Sequence, residues 1–254
     1  MAGDTLSELP SILDEIAAGG ISFIVNTPMP RSGAVLDAAK TNPALFQEMV
    51  LAYRQQKAHD EGRELDDPDN VAAAMRENTK LVYLETPANP TLKLTDVTAC
   101  AEIAHEIGAV LVVDNTFSPL SLAPAKLGAH IVVHSLTKFI NGTSDCVAGA
   151  VCGSKDFCLA LKDVNSGAGM LLGSTLDSLR SASILKNMRT LHIRMQKHSY
   201  NAQFLSERFE KYGLRVVYPG LASHPGHELM KAQMEAEYGF GGIMTIDVGS
   251  LEKA

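Results

Sequence analysis

Short apolar runs rich in β-branched residues alternate along this chain with longer stretches of helical spacing. Residues 21–25 (ISFIV), 81–84 (LVYL), 109–113 (AVLVV), 131–133 (IVV) and 147–151 (VAGAV) show no polar alternation, so each is predicted as a buried strand. Over residues 96–107, Val97, Cys100, Ala101, Ala104 and Ile107 recur at helical spacing, and Gly108 supplies the stop. Buried strands joined by helices define an α/β fold whose mainly parallel sheet is covered on both faces. Ligands of such sheets bind beyond the carboxyl ends of the strands. The segments to inspect for chemistry are therefore 85–90, 114–119 and 134–142.

The pattern changes in the second half. Residues 176–187 and 191–212 are predicted helices, the latter long and amphipathic. Strands are expected at 214–218 and 243–248, with a Pro/Gly/His loop over 219–227 between them. A boundary near Arg189 divides the chain into a large-domain portion, 1–190, and the start of a C-terminal domain, 191–254. Residues 26–70 fit neither pattern and are read as an insertion. Within them, Thr41-Asn42-Pro43 offers a cap for a helix whose apolar face is Leu45, Phe46, Met49, Val50 and Tyr53; the charged stretch 57–69 reads as a solvated face.

Composition narrows the classes. With 46% hydrophobic and 20% charged residues, the 254-residue chain is globular rather than disordered. A net charge of −7 argues against nucleic acid or an anionic membrane surface as the main partner. No apolar run approaches the roughly 20 residues needed to span a bilayer. Met-Ala-Gly-Asp-Thr at the start has no signal-peptide character, and the four cysteines contain no CxxC pair. A cytoplasmic enzyme with reduced thiols is expected, and Cys146, Cys152 and Cys158 are read as buried free thiols.

Three features stand at successive strand ends. Glu85-Thr86-Pro87-Ala88-Asn89-Pro90 places Asn89 in a turn stiffened by two prolines. Asp114-Asn115-Thr116 follows a wholly apolar strand, where a carboxylate needs a cation or good donors. His134-Ser135-Leu136-Thr137-Lys138 puts two hydroxyls and a lysine after the next strand. A lysine, an acid and hydroxyls at neighbouring sheet ends suit pyridoxal 5'-phosphate: the lysine forms a Schiff base, the acid pairs with the pyridinium nitrogen and hydroxyls hold the phosphate. His134 is read as a packed strand-end histidine rather than a base. His224, His227 and Glu228 are read as loop residues rather than metal ligands.

These stretches resemble the Cys/Met-metabolism family of pyridoxal-phosphate enzymes, the trans-sulfuration enzymes. The resemblance lies in Leu84 to Pro90, Val112-Val113-Asp114-Asn115-Thr116-Phe117 and Val132 to Phe139. It continues in Thr190-Leu191-His192-Ile193-Arg194-Met195, Tyr218-Pro219-Gly220-Leu221 and Gly239-Phe240-Gly241-Gly242. It implies the aspartate-aminotransferase-like fold, type I. It implies that Lys138 carries the cofactor and is the catalytic residue, that Asp114 pairs with the pyridine nitrogen, and that Ser135 and Thr137 bind phosphate. Asn89 is then expected near the ring's phenolic oxygen, and Thr116 against the ring. The implied reaction is γ-elimination from methionine- or homocysteine-type substrates to thiol, 2-oxo acid and ammonia. The alternatives are cystathionine γ-synthase, cystathionine lyase or acylhomoserine sulfhydrylase activity, or a shortened cofactor-binding module without catalysis. The implied partners are an amino-acid substrate and further copies of the chain, as a dimer or tetramer.

Compared with the family pattern the chain looks shortened at both ends. The glycine-containing phosphate loop, the upstream Tyr/Arg segment and the C-terminal arginine for the substrate carboxylate find no counterpart in it. Gly3-Asp4-Thr5-Leu6 aligns after the phosphate loop, with Ser7 where the family stacks an aromatic residue on the cofactor.

Overall fold

The computed structural model describes the backbone of residues 22–25 and the whole of residues 67–249. Five strands form one sheet in the order β1-β2-β3-β4-β5: β1 (Ser22–Val25), β2 (Thr79–Glu85), β3 (Val110–Asp114), β4 (Ile131–Ser135) and β5 (Gly149–Cys152). The first four run parallel and β5 pairs antiparallel with β4. Register sets Tyr83 opposite Val112, Glu85 opposite Asp114, and Asp114 opposite Val133, so the carboxyl ends of β2, β3 and β4 finish together.

Both faces of the central strands are buried, which is why their sequences lack alternation. On one face Val82, Leu84, Leu111, Val113 and Val132 pack with Val97, Cys100, Ala101 and Ala104 of α2 (Val97–Glu106). On the other, Val110, Val112 and Ile131 pack against Phe157 of α3 (Lys155–Leu161), with Tyr83 and Val133 beside them. Full burial of each such side chain contributes about 1.5–3 kcal/mol. The ends of α2 are those the sequence announces. Asp96 accepts from the amide of Ala99 as N-cap, and Gly108 takes φ +70° just past the last turn.

The fifth strand corrects the sequence reading. Residues 147–151 were expected to be a buried strand, yet Val147 is 81% exposed and Val151 47% exposed, and the strand is Gly149–Cys152. Among the described residues β5 pairs only with β4, so it lies at the sheet edge. A short apolar run looks the same whether or not a second layer covers it. The cysteines follow the same correction. All four are free, but Cys152 is exposed and Cys146 and Cys158 are half-buried; only Cys100 is in the core.

Short helices also escape the pattern: α1 (Pro68–Ala74), α3, α4 (Ala168–Leu171) and α7 (His227–Gln233) have seven residues or fewer. Two turns give too few positions for a face to emerge. The helix expected after Thr41 lies outside the described residues. After α4 come α5 (Ser178–Met188), capped by Asp177, and α6 (Leu191–Lys211). The buried stripe of α6, Leu191, Met195, Ser199, Ala202 and Ser206, steps by three and four residues as an amphipathic helix requires. A two-stranded antiparallel sheet, β6 (Arg215–Val217) and β7 (Thr245–Asp247), follows at the places expected. Tyr218 anchors this part: it is fully buried against Ala202 and Leu221, and its hydroxyl donates to the Gly241 carbonyl at 2.9 Å. No described helix is long and apolar enough to cross a membrane.

Candidate active site

Asp114 ends β3, and its carboxylate is held from two sides. Oδ1 accepts from the Thr116 amide at 2.9 Å and Oδ2 from the Tyr83 hydroxyl at 3.0 Å. Thr116 ties this end to the next strand, because its hydroxyl oxygen accepts from the Ser135 amide at 2.8 Å. Two donors on a half-buried carboxylate fix its direction. Glu85, opposite Asp114 on β2, is buried at 6% exposure. Burial, and secondly the negative charge of Asp114, push its pKa up to about 8 against a hydrogen bond from the Asn89 amide. Two neighbouring carboxyls therefore divide their roles: Asp114 has donors fixed on it, while Glu85 keeps its proton at neutral pH.

Lys138 lies one turn beyond β4. Residues Leu136–Ile140 form a π-type turn that is broken at Lys138 itself, where φ is −92° and ψ −124°. The Asn141 amide donates to the Leu136 carbonyl at 2.9 Å, and the Gly142 amide to the Lys138 carbonyl at 2.8 Å. These two bonds clamp the turn while the lysine side chain stays exposed. π-type turns are uncommon and concentrate at functional positions.

Asp114, Thr116, Ser135 and Lys138 thus converge at the carboxyl ends of β3 and β4. The Ser135 hydroxyl takes no hydrogen bond among the described residues. The Thr137 hydroxyl is occupied, donating to the Ala148 carbonyl at 3.2 Å and accepting from the Ala148 amide at 3.0 Å. Asn89 is exposed in the loop after β2. His134 packs as expected: its Nδ1–H donates to the Asn115 carbonyl at 3.1 Å, and burial lowers its pKa, leaving the ring neutral. His224 Nε2 donates to the Leu92 carbonyl, and His227 Nδ1 to the Pro219 carbonyl. Among the described residues no group of histidine, cysteine and carboxylate side chains could hold a metal.

Sequence reasoning missed two members of this site. Tyr83 and Glu85 are two residues apart on β2 and share the face that carries Asp114; alternation along the strand was the signal available. A lysine amine and an oriented carboxylate at adjacent strand ends are what a pyridoxal cofactor requires at its aldehyde and its ring nitrogen. The donor set fits that group.

The sheet and its flanking helices have the type I fold of pyridoxal-phosphate enzymes, and the family model for Cys/Met metabolism PLP-dependent enzymes matches residues 45–254. The chain belongs to that family. It is 44% identical over 192 residues to methionine gamma-lyase of Arabidopsis thaliana, covering 75% of this chain and 44% of that protein. Against cystathionine gamma-lyase of Dictyostelium discoideum the identity is 44% over 191 residues, or 73% of this chain and 48% of the relative. Cystathionine beta-lyase of Lactococcus lactis subsp. cremoris is 41% identical over 249 residues, 96% of this chain and 60% of the relative. The chain spans about half the length of the curated relatives it matches.

Proposed function

We propose that this chain carries the core of a carbon–sulfur lyase that converts methionine- or homocysteine-type substrates and water to a thiol, a 2-oxo acid and ammonia. The observation that supports it most is the convergence of Lys138 and the doubly held Asp114 at adjacent strand ends, in a family whose cofactor is pyridoxal phosphate. Bound there, the cofactor supplies an electron sink for the carbanion at the substrate Cα. Lys138 Nζ would hold the cofactor through its aldehyde and, once free, would serve as the base for the substrate Cα proton. Asp114, its two oxygens held by Tyr83 and Thr116, would pair with the ring nitrogen and keep a proton there. Ser135 offers a hydroxyl to the phosphate, and Thr137 does so by releasing Ala148. Asn89 would serve the ring's phenolic oxygen, and Thr116 would pack beside the ring.

The likeness to a cystathionine beta-lyase over 96% of the chain supports cystathionine cleavage as the second reading. Incubating the cofactor-loaded chain with methionine, homocysteine and cystathionine in turn, and measuring thiol and 2-oxo acid, separates the two. The first reading expects a four-carbon 2-oxo acid from methionine. Turnover of cystathionine alone, with a three-carbon 2-oxo acid, would replace it with the second.

The family arrangement divides the chain into a cofactor domain, 1–190, and the start of a C-terminal domain, 191–254; the separate β6–β7 sheet supports that division. Assembly with further copies in the cytoplasm completes the reading. Exposed apolar residues such as Leu171, Leu172 and Leu179 and the four free cysteines support it.

A further inference from the structure

The Thr190-to-Met195 motif has no part in the chemistry above, yet it lies directly against the turn that carries Lys138. Met195 is fully buried with Ile140, Ile184 and Leu191, and Leu136 and Phe139 pack on the same cluster. One residue earlier, the Arg194 guanidinium reaches back over the turn. Nη1 donates to the Phe139 carbonyl at 2.5 Å, and Nη2 to the carbonyls of Ile140 at 2.9 Å and Asn187 at 3.2 Å. Nε donates to the Thr190 hydroxyl at 3.2 Å.

The placement answers a specific need. Within the turn, the amides of Asn141 and Gly142 satisfy the carbonyls of Leu136 and Lys138. The next two carbonyls, of Phe139 and Ile140, are the acceptors a helical end leaves over. A planar fork spans two successive carbonyls at once, which the single ammonium of a lysine does not. Gly142 records how close the approach is. Its φ is +75°, and a Cβ there would stand 2.3 Å from Arg194 Nη1. Asn141 completes the lock: it is buried, donates to Asp145 and accepts from Asn187, whose own carbonyl Arg194 holds.

We propose that Arg194 is a positioning residue for Lys138: by capping Phe139 and Ile140 it fixes the broken turn from which the lysine amine is presented. This rests on the reading of Lys138 as the cofactor lysine. Arg194 touches neither substrate nor cofactor in this account and acts through the backbone alone.

The test compares the full chain with Arg194→Ala, Arg194→Lys and a control, Arg180→Ala, which removes an exposed arginine paired with Asp177. The first readout is amide hydrogen exchange without cofactor. Asn141 and Gly142 should exchange about 10- to 100-fold faster in Arg194→Ala, the loss expected for charge-assisted hydrogen bonds. The amides of Leu111 to Val113 in β3 should be unchanged. The second readout is the rate at which borohydride traps pyridoxal phosphate on Lys138. It should fall about tenfold or more in both Arg194 variants, and millimolar methylguanidinium should restore it in Arg194→Ala where methylammonium does not. Unchanged exchange at Asn141 and Gly142 in a folded Arg194→Ala would overturn the proposal. So would a uniform rise across the sheet in both variants, which marks a general structural role, or rescue by methylammonium. Should the unsubstituted chain fail to label Lys138, the cofactor reading falls, while exchange still decides whether Arg194 holds the turn.

Discussion

Replacing Glu85 with glutamine tests the electrostatics of the site before any cofactor is added. Glu85 is buried opposite Asp114, and its pKa is raised from 4.5 in the unfolded reference to about 8 in the fold. Because the folded state holds the proton more tightly, the native chain binds more protons than the unfolded chain between those limits. Stability should therefore be fully present below pH 4.5 and fall as pH rises through 8. Each pH unit in that window removes about 1.4 kcal/mol, so roughly 3 kcal/mol is lost by pH 7 from this group alone. Glutamine keeps the shape and cannot ionise. The assay is urea unfolding of the cofactor-free chain at half-unit steps from pH 5 to 8.5, comparing Glu85→Gln with the unsubstituted protein. Other titrating groups contribute to both curves, so the difference between them isolates position 85. It should widen steadily in favour of Glu85→Gln as pH rises and flatten near pH 8. Parallel curves would refute the argument, because they would mean that Glu85 ionises normally in the fold. Asp114→Asn should narrow the window from its upper end, since Asp114's charge is the second cause of the shift.

Tyr83→Phe removes the donor to Asp114 Oδ2 and leaves the ring in place. It should cost about 1.5–3 kcal/mol by urea unfolding and weaken pyridoxal-phosphate binding measured by titration. Asp96→Ala removes the N-cap of α2 and should cost about 1 kcal/mol, with Asp96→Asn recovering most of it. Leu111→Ala empties a fully buried position under α2 and should cost about 2–5 kcal/mol, read from the shift of the unfolding midpoint at constant slope.

The central architecture was legible because burial on two faces leaves a direct mark on sequence. Strands β2, β3 and β4 are apolar without alternation, and Asp96 and Gly108 bracket α2 as cap and stop. The strand ends then directed attention to Asp114, Thr116, Ser135 and Lys138, which the fold gathers. What sequence did not show depends on neighbours far along the chain. The exposure of β5 follows from what covers the sheet edge, which residues 147–151 do not encode. The hydrogen bonds of Tyr83 to Asp114, 31 residues apart, and of Arg194 to Phe139, 55 apart, exist only once strands and helices are packed. Glu85 read as part of a turn motif, because its raised pKa comes from burial and from a neighbour on another strand. Four helices of seven residues or fewer left no periodicity to detect.

The measurement that bears most directly on the account is the visible absorption of the purified chain with pyridoxal phosphate, followed by borohydride reduction and peptide mapping. The account expects a visible band and a single stable label on Lys138, with both lost in Lys138→Ala while the far-ultraviolet circular dichroism is retained. Label spread over exposed lysines such as Lys126, Lys197 and Lys231, or a spectrum that Lys138→Ala leaves unchanged, would contradict it.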